Sequence, residues 1–198
     1  MKKRTKKTEA RTKLLQTGLR LFAENGFNGT GIKRIVDEVG VPKGSFYNYF
    51  KSKEDFTVEI IQFYSDNLSI LWDDFLKSGP SEPLKSLQHS FEMIISHHEQ
   101  SEVRTGCLIG NLAAEISEAS DLCRQKMHQA TIAWKDRVSK QIRQGQAMGT
   151  IRRDISTDAL TEFIWNAWEG ALLNMKIVNS TAPVKGCISL LFDFFLKP

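Results

Sequence analysis

The 198-residue sequence has few cysteines and none of the short motifs that mark common enzymes. Its three cysteines are an odd number, and their spacings match no zinc-binding pattern. A Gly-rich phosphate loop, a His-Glu-x-x-His pair and a Gly-x-Ser-x-Gly elbow are all lacking. These absences argue against a disulfide-stabilised secreted domain, a metal centre and an enzyme. We therefore expect a protein of the reducing cytoplasm with no catalytic site, no cofactor and no bound metal.

Proline and long apolar runs are also scarce. There are five prolines, and no stretch alternates Val, Ile or Thr with polar residues as a half-exposed strand would. The most apolar stretch, residues 163–178, is interrupted by four polar or charged side chains, so it predicts a buried or partner-packed helix and no membrane span. Apolar residues recur at helical spacing along the chain. The sequence predicts an all-α fold of about nine helices.

Charge is distributed unevenly between the two ends of the chain. Residues 1–55 carry 13 Lys/Arg and 6 Asp/Glu, a net of +7, whereas residues 56–198 carry 14 and 17, a net of −3. A basic segment joined to a mildly acidic body predicts a polyanionic partner, such as double-stranded DNA, for the first segment only.

Residues 31–50 carry the most specific local pattern. Apolar residues at i, i+3, i+4 and i+7 predict a first helix: Ile32, Ile35, Val36 and Val39. Gly40 supplies the left-handed residue that ends such a helix, and Pro42 suits the start of the next one. In that second helix an aromatic face points inward: Phe46, Tyr49 and Phe50. Two helices, a tight turn and a polar outer face predict a helix-turn-helix.

The segment around this motif resembles the N-terminal domain of the TetR family of transcriptional regulators. The resemblance covers about fifty residues and rests on marks in a specific order: Gly26-Phe27, Thr30, Ile35, Gly40-Val41, Lys43-Gly44, Tyr47-Asn48-Tyr49-Phe50 and Ser52-Lys53-Glu54. It implies a homodimer that binds a palindromic operator and releases it when a small molecule enters the C-terminal domain. One departure is Gly31, where many members have a second Thr or Ser.

The family pattern also implies which side chains meet DNA. Five residues are expected to face the major groove: Lys43, Gly44, Ser45, Tyr47 and Asn48. Three more are expected to hold phosphates: Thr30, Tyr49 and Lys53. Gly44 matters because the absence of a side chain lets the backbone approach the duplex.

The C-terminal body is similar to a TetR subgroup that responds to electrophiles and oxidants and includes the repressor NemR. The similarity rests on residues 105–124 and 168–178, and it places the reactive thiol at Cys107 in a helix opening at Gly106. A thiolate is favoured near the positive end of a helix, and a nearby ammonium would favour it further. Lys176 is the only Lys or Arg between Asp154 and Lys185, so it is the candidate for a buried or half-buried cation.

Cys107 and Trp168 each have a simpler alternative. Cys107 is equally consistent with a small buried hydrophobe without chemistry. Trp168 is predicted to line an effector pocket with other aromatic residues, but aromatic residues at helical spacing are also typical of a plain core.

The last two predicted helices carry apolar residues around most of their circumference, which indicates a partner interface. A four-helix bundle from two chains is expected to bury Trp165, Leu172, Ile188, Leu191, Phe192 and Phe195.

These observations predict a DNA-binding domain in residues 1–51 and an effector-sensing, dimerisation domain in residues 52–198. The predicted function is a sequence-specific DNA-binding repressor released by a small-molecule effector, an electrophile or oxidant acting at Cys107. Two alternatives remain: an architectural DNA-binding protein without an effector, and a protein-interaction module without specific DNA binding.

Overall fold

The computed structural model describes residues 2–100 and 104–198, with side chains from Thr8 onwards. Within these residues the fold is all-α, as predicted, and contains nine α-helices. In chain order they are α1 (Lys2–Asn25), α2 (Ile32–Val39), α3 (Lys43–Phe46), α4 (Lys53–Ser78), α5 (Pro83–Gln100), α6 (Leu108–Ile116), α7 (Asp121–Met148), α8 (Thr157–Val178) and α9 (Ala182–Leu190). A π-helical segment, Leu191–Phe195, continues α9. No described helix is long and apolar enough to cross a membrane.

Helix ends lie where the local sequence predicts them. Ser156 caps α8, because its hydroxyl accepts the Ala159 N–H at 3.2 Å. Ser52 caps α4 in the same way, because its hydroxyl accepts the Asp55 N–H at 3.0 Å. The Asp55 carboxylate also accepts the N–H of Lys51, the residue before the cap, at 3.0 Å. The apolar spacing of Leu15, Leu19 and Phe22 predicts a first helix from about Thr8, whereas α1 begins at Lys2.

The chain forms two compact units. The first comprises the described residues up to Asp66 together with Leu108–Ala130, and the second comprises Asn67–Cys107 and Thr131–Pro198. Helices α4 and α7 each run from one unit into the other. In this division α6 and the start of α7 group with the basic segment. The functional boundary between residues 51 and 52 stays a prediction.

Aromatic side chains form the core of the first unit. Phe22, Phe46, Phe50 and Phe56 are each at most 1% exposed, and the rings of Phe50 and Phe56 are 4.6 Å apart. Helices α1 and α4 lie close together, since a Cβ on Gly18 would be 2.4 Å from the Phe56 ring.

The second unit has its own aromatic core. The Phe91 ring makes edge contacts with Trp72 at 5.4 Å and with Trp168 at 5.0 Å, and it lies 6.0 Å from Trp134. Residues from α8, α9 and the π-helical segment complete this core.

Candidate nucleic-acid interface and effector region

The turn between α2 and α3 is built by its glycine and proline. Gly40 is left-handed with φ 75°, and the N–H groups of Gly40 and Val41 donate to the carbonyls of Asp37 and Val36 at 3.2 and 3.0 Å. These bonds close the end of α2, as the sequence predicts. Pro42, at φ −59°, directly precedes α3, and its carbonyl accepts the Ser45 N–H at 2.8 Å.

Helix α3 is short, and buried aromatic side chains on its inner side hold it in place. It spans four residues and continues as turns, with the N–H groups of Tyr49 and Phe50 donating to the Phe46 carbonyl, both at 3.0 Å. Phe46 and Phe50 are buried in the aromatic core, and Tyr49 is half-buried. The buried rings fix the orientation of the opposite side of the helix.

The outer side of α3, here called the recognition face, consists of Lys43, Gly44, Ser45, Tyr47 and Asn48. All are exposed except the half-buried Ser45, and Tyr47 is 51% exposed. A Cβ added to Gly44 would meet no atom within 4 Å, and the positive-φ glycines do not include it. Neither space nor backbone conformation inside this chain therefore requires glycine here.

The structure corrects the prediction that Thr30 holds a phosphate. Thr30 is fully buried, and its hydroxyl donates to the Leu21 carbonyl at 3.1 Å. A hydroxyl has one hydrogen to donate, so this bond leaves none for a phosphate. Thr30 does not cap α2 either, since Gly31 occupies the N-cap without a side-chain bond.

Lys53 lies at the start of α4 and contacts the turn that follows α1. Its ammonium donates to the Phe27 carbonyl at 2.5 Å and lies 3.9 Å from the centre of the Phe27 ring. Burial lowers the pKa of Lys53, and the charge of Glu115 opposes this effect. An ammonium carries three donors, so the predicted phosphate contact remains compatible with this geometry.

The predicted effector residues lie in the second unit. Cys107 is half-buried and directly precedes α6, so the helix begins one residue after the thiol and not at Gly106. Gly106 has φ 69°, and a Cβ there would lie 3.0 Å from the Lys176 Cδ, which places the lysine stem against this turn. Lys176 is exposed, which corrects the expectation of a buried or half-buried cation.

Sequence reasoning missed Glu169, which is hydrogen-bonded to Cys107. Burial raises the pKa of the Glu169 carboxyl, and the bond with Cys107 opposes this effect. An ionised carboxylate beside a thiol disfavours the thiolate, so its influence is opposite to that of Lys176. The i, i+7 spacing of Glu169 and Lys176 on α8 puts them on one side of the helix, and this was the available signal.

Trp168 is almost fully buried, with its ring packed against Phe91. Its role in effector binding stays a prediction, because a buried tryptophan at this position is equally consistent with a purely structural core residue. The nearby Trp72 is 1% exposed, and its indole N–H has no hydrogen-bond acceptor among the described residues.

The structure corrects four of the six residues predicted for a dimer interface. Leu172, Ile188, Leu191 and Phe192 are at most 4% exposed, because they form the core of their own chain. The other two are half-buried, with Trp165 against Trp134 and Phe195 stacked on Phe163.

Other apolar residues of the last helices face outward. We call this set the outer apolar face: Phe163, Leu173, Ile177, Leu190 and Phe194, each between 48% and 73% exposed. It borders an open groove of about 400 Å³ lined by Phe163, Ala167, Cys187, Leu190, Leu191, Phe194 and Phe195. Apolar periodicity alone did not reveal which side of each helix belongs to the core.

Comparisons with known proteins match both regions. A family model described as bacterial regulatory proteins, tetR family, matches residues 14–60, and one described as tetracyclin repressor-like, C-terminal domain, matches residues 83–191. The chain is 34% identical over 190 residues to HTH-type transcriptional repressor DhaR of Mycobacterium sp. (strain GP1), covering 96% of this chain and 94% of DhaR.

Two further relatives cover most of the chain. Transcriptional regulator AcuR of Cereibacter sphaeroides is 34% identical over 168 residues, 85% of this chain and 77% of AcuR. The crystal structure of E. coli NemR in its reduced form has a TM-score of 0.87 at 26% identity, covering 96% of this chain and 98% of the NemR chain.

Proposed function

Because the chain belongs to the TetR family of DNA-binding transcriptional regulators, we propose that it represses transcription in the cytoplasm as a homodimer on a palindromic operator. Regulators of this family bind DNA and form dimers. The observation that carries the proposal is the recognition face: exposed polar side chains on a helix whose opposite side is fixed by buried Phe46 and Phe50. The net charge of +7 in residues 1–55 adds attraction to the phosphate backbone.

The outer apolar face supports dimerisation through α8 and α9. Phe163, Gly170 and Ile177 recur every seven residues on α8, and Gly186 precedes Leu190 by one turn on α9. A Cβ on either glycine would meet no atom within 4 Å, so both leave room for the close approach of a partner helix. Exposed apolar surface of this kind is typical of subunit interfaces, and two copies of α8 and α9 would form a four-helix bundle.

For the effector we propose an electrophile that modifies Cys107. The turn around Cys107 brings a thiol, the half-buried carboxyl of Glu169 and the stem of Lys176 into one region of the second unit. Addition to an electron-poor alkene forms a bond between Sγ and carbon and breaks the π bond, and the thiol proton ends on the adjacent carbon. In this proposed step the Glu169 carboxylate, which is hydrogen-bonded to Cys107, accepts the proton from the thiol and returns it.

Modification would release DNA only if it favours a conformation with lower operator affinity. A difference of about 1–3 kcal/mol between the two states is typical of such coupling. The chain from Cys107 continues directly into α6, which belongs to the same unit as the recognition face. A change in the turn at residues 106–107 therefore has a continuous path to that unit.

The test is a gel shift with the DNA upstream of the protein's own gene, with and without N-ethylmaleimide. The parent protein should bind this DNA and release it after treatment, whereas Cys107→Ser should bind normally and stay bound. Cys123→Ser and Cys187→Ser are matched controls that should respond like the parent. Burial raises the pKa of both of these thiols, which slows their reaction.

Two results would contradict the proposal at different levels. If Cys107→Ser is released as readily as the parent, Cys107 is not the sensor, because N-ethylmaleimide must then act through another group. If the parent shifts no DNA in this assay or in a selection from random duplexes, specific DNA binding itself is wrong.

A further inference from the structure

A carboxylate on α6 holds the turn that leads into the helix-turn-helix. The two Glu115 oxygens accept consecutive backbone N–H groups of the first unit, from Phe27 at 3.1 Å and from Asn28 at 2.9 Å. Successive N–H groups after a left-handed residue form a concavity suited to an anion, and Gly26 supplies that residue with φ 73°. A Cβ on Gly26 would lie 2.2 Å from the nearer oxygen, so the carboxylate fills the space a side chain would need.

The same turn is held from its other side by α4. The Phe27 N–H donates to Glu115, and the Phe27 carbonyl accepts from the Lys53 ammonium. The charges of Lys53 and Glu115 attract each other across this peptide. The buried bond from Thr30 to the Leu21 carbonyl closes the turn at residues 26–30 onto α1. Helix α2 begins two residues later, so the position of this turn sets where the helix-turn-helix starts.

A second tie joins α7 to the start of α4. The Ser120 hydroxyl donates to the Glu54 carboxylate and accepts the Cys123 N–H at 3.1 Å. The first turn of α7 is thereby fixed to the first turn of α4, next to Lys53. Helix α6 is thus braced at its C-terminal end against the same part of the unit that carries the recognition face.

We infer that Glu115 is a positioning residue for operator binding. Its carboxylate keeps the turn at residues 26–30 in the place that orients α2 and α3, and it does so from a helix outside the DNA-binding motif. Withdrawing the carboxylate removes this shared acceptor from the Phe27 and Asn28 N–H groups and releases one side of the turn, so the orientation of the recognition face becomes less defined. This inference rests on the proposed function, since it concerns the binding of an operator.

The position of Glu115 makes its two hydrogen bonds sensitive to any displacement of α6. Glu115 lies in the last turn of this helix, about 10 Å along the axis from Leu108, which is the first residue of the helix. Charge-assisted bonds to backbone N–H groups depend steeply on distance, so a displacement of α6 by an ångström or two would weaken both. A displacement of α6 would in this way lower operator affinity.

The test compares Glu115→Gln with the parent and with Glu118→Gln, an exposed glutamate just beyond the same helix. Glutamine keeps the shape but replaces one acceptor oxygen by a donor that opposes a backbone N–H. Operator affinity is measured by fluorescence anisotropy over a range of salt concentrations, well below the melting temperature of each variant. Amide hydrogen exchange at Phe27 and Asn28 reports the state of the turn.

We expect Glu115→Gln to bind the operator about tenfold more weakly, with an unchanged salt slope and unchanged base preference, because Glu115 touches no phosphate or base. The Phe27 and Asn28 amides should exchange faster, and Glu118→Gln should match the parent in both measurements. Faster exchange with parental affinity would overturn the inference, since Glu115 would then be a brace of the fold without influence on binding. A changed salt slope would also overturn it. If the parent binds the operator in the same assay, either of these results overturns only the role of Glu115. If the parent does not bind, the proposed function itself is wrong.

Discussion

Gly44→Ala should raise the stability of the protein and lower its affinity for DNA. The position is exposed at the centre of the recognition face, and an added Cβ would meet nothing within 4 Å. Its backbone is not among the left-handed glycines, so alanine fits without strain. Alanine is favoured over glycine in a helix by about 0.8–1 kcal/mol, and we expect roughly half of that in so short a helix as α3. The melting temperature should rise by about 1–2 °C.

The loss of affinity has a different origin from the gain in stability. A backbone in close contact with the duplex has no room for a methyl group, so alanine would push α3 outward and lengthen the contacts beside it. A well-made base contact contributes about 1–3 kcal/mol, so losing most of one should weaken operator binding about tenfold or more. Thermal unfolding and fluorescence anisotropy of a labelled operator measure the two effects in one variant.

Gly40→Ala is the matched control for the stability effect. A Cβ at Gly40 is equally unobstructed, but the residue has φ 75°, so alanine should cost about 1–2 kcal/mol of stability. The same substitution four residues apart should therefore shift the melting temperature in opposite directions. If Gly44→Ala binds the operator as tightly as the parent, the backbone at residue 44 does not lie in close contact with the duplex.

Further predictions concern Thr30 and the outer apolar face. Thr30→Val should lose about 1–2 kcal/mol of stability, because its hydroxyl bond to the Leu21 carbonyl is buried, and the salt slope of DNA binding should stay unchanged. If the salt dependence of DNA affinity instead fell by the amount expected for about one phosphate contact, Thr30 would hold a phosphate after all. Ile177→Glu should sediment as a folded monomer at micromolar concentration, because this 73% exposed side chain lies on the outer apolar face. Ile70→Glu on α4, at a similarly exposed position, should stay dimeric, and a dimeric Ile177→Glu would move the interface elsewhere.

The sequence was sufficient for the features that depend on neighbouring residues. Gly40 ends α2, and Ser52 and Ser156 begin α4 and α8, because a glycine turn or a capping hydroxyl acts within a few residues. The inward orientation of Phe46 and Phe50 also followed from helical spacing. The recognition face could be predicted for the same reason, because it consists of the side chains that stay exposed when Phe46 and Phe50 point inward.

Features that depend on distant residues could not be predicted. Glu115 binds amides 87 and 88 positions earlier in the chain, and no periodicity connects those segments. The pairing of Glu169 with Cys107 joins two different parts of the second unit in the same way.

Burial in the last two helices was misassigned for a different reason. Because α8 and α9 are apolar on several sides, the pattern could not separate core residues such as Leu172 from the outward-facing Leu173. Thr30 shows the same limit for a single polar group, whose partner is decided by which acceptor lies near it in space.

The most direct test of the account is a selection of binding sites from random DNA duplexes by the purified protein, followed by a measurement of the number of chains per selected duplex. Two recognition faces related by two-fold symmetry should meet successive major grooves, about 34–36 Å apart. We therefore predict one enriched palindrome, with half-sites centred one helical turn or a small multiple apart, bound by at least two chains. No enriched sequence, or a single half-site bound tightly by one chain, would show that this protein is not a dimeric operator-binding regulator.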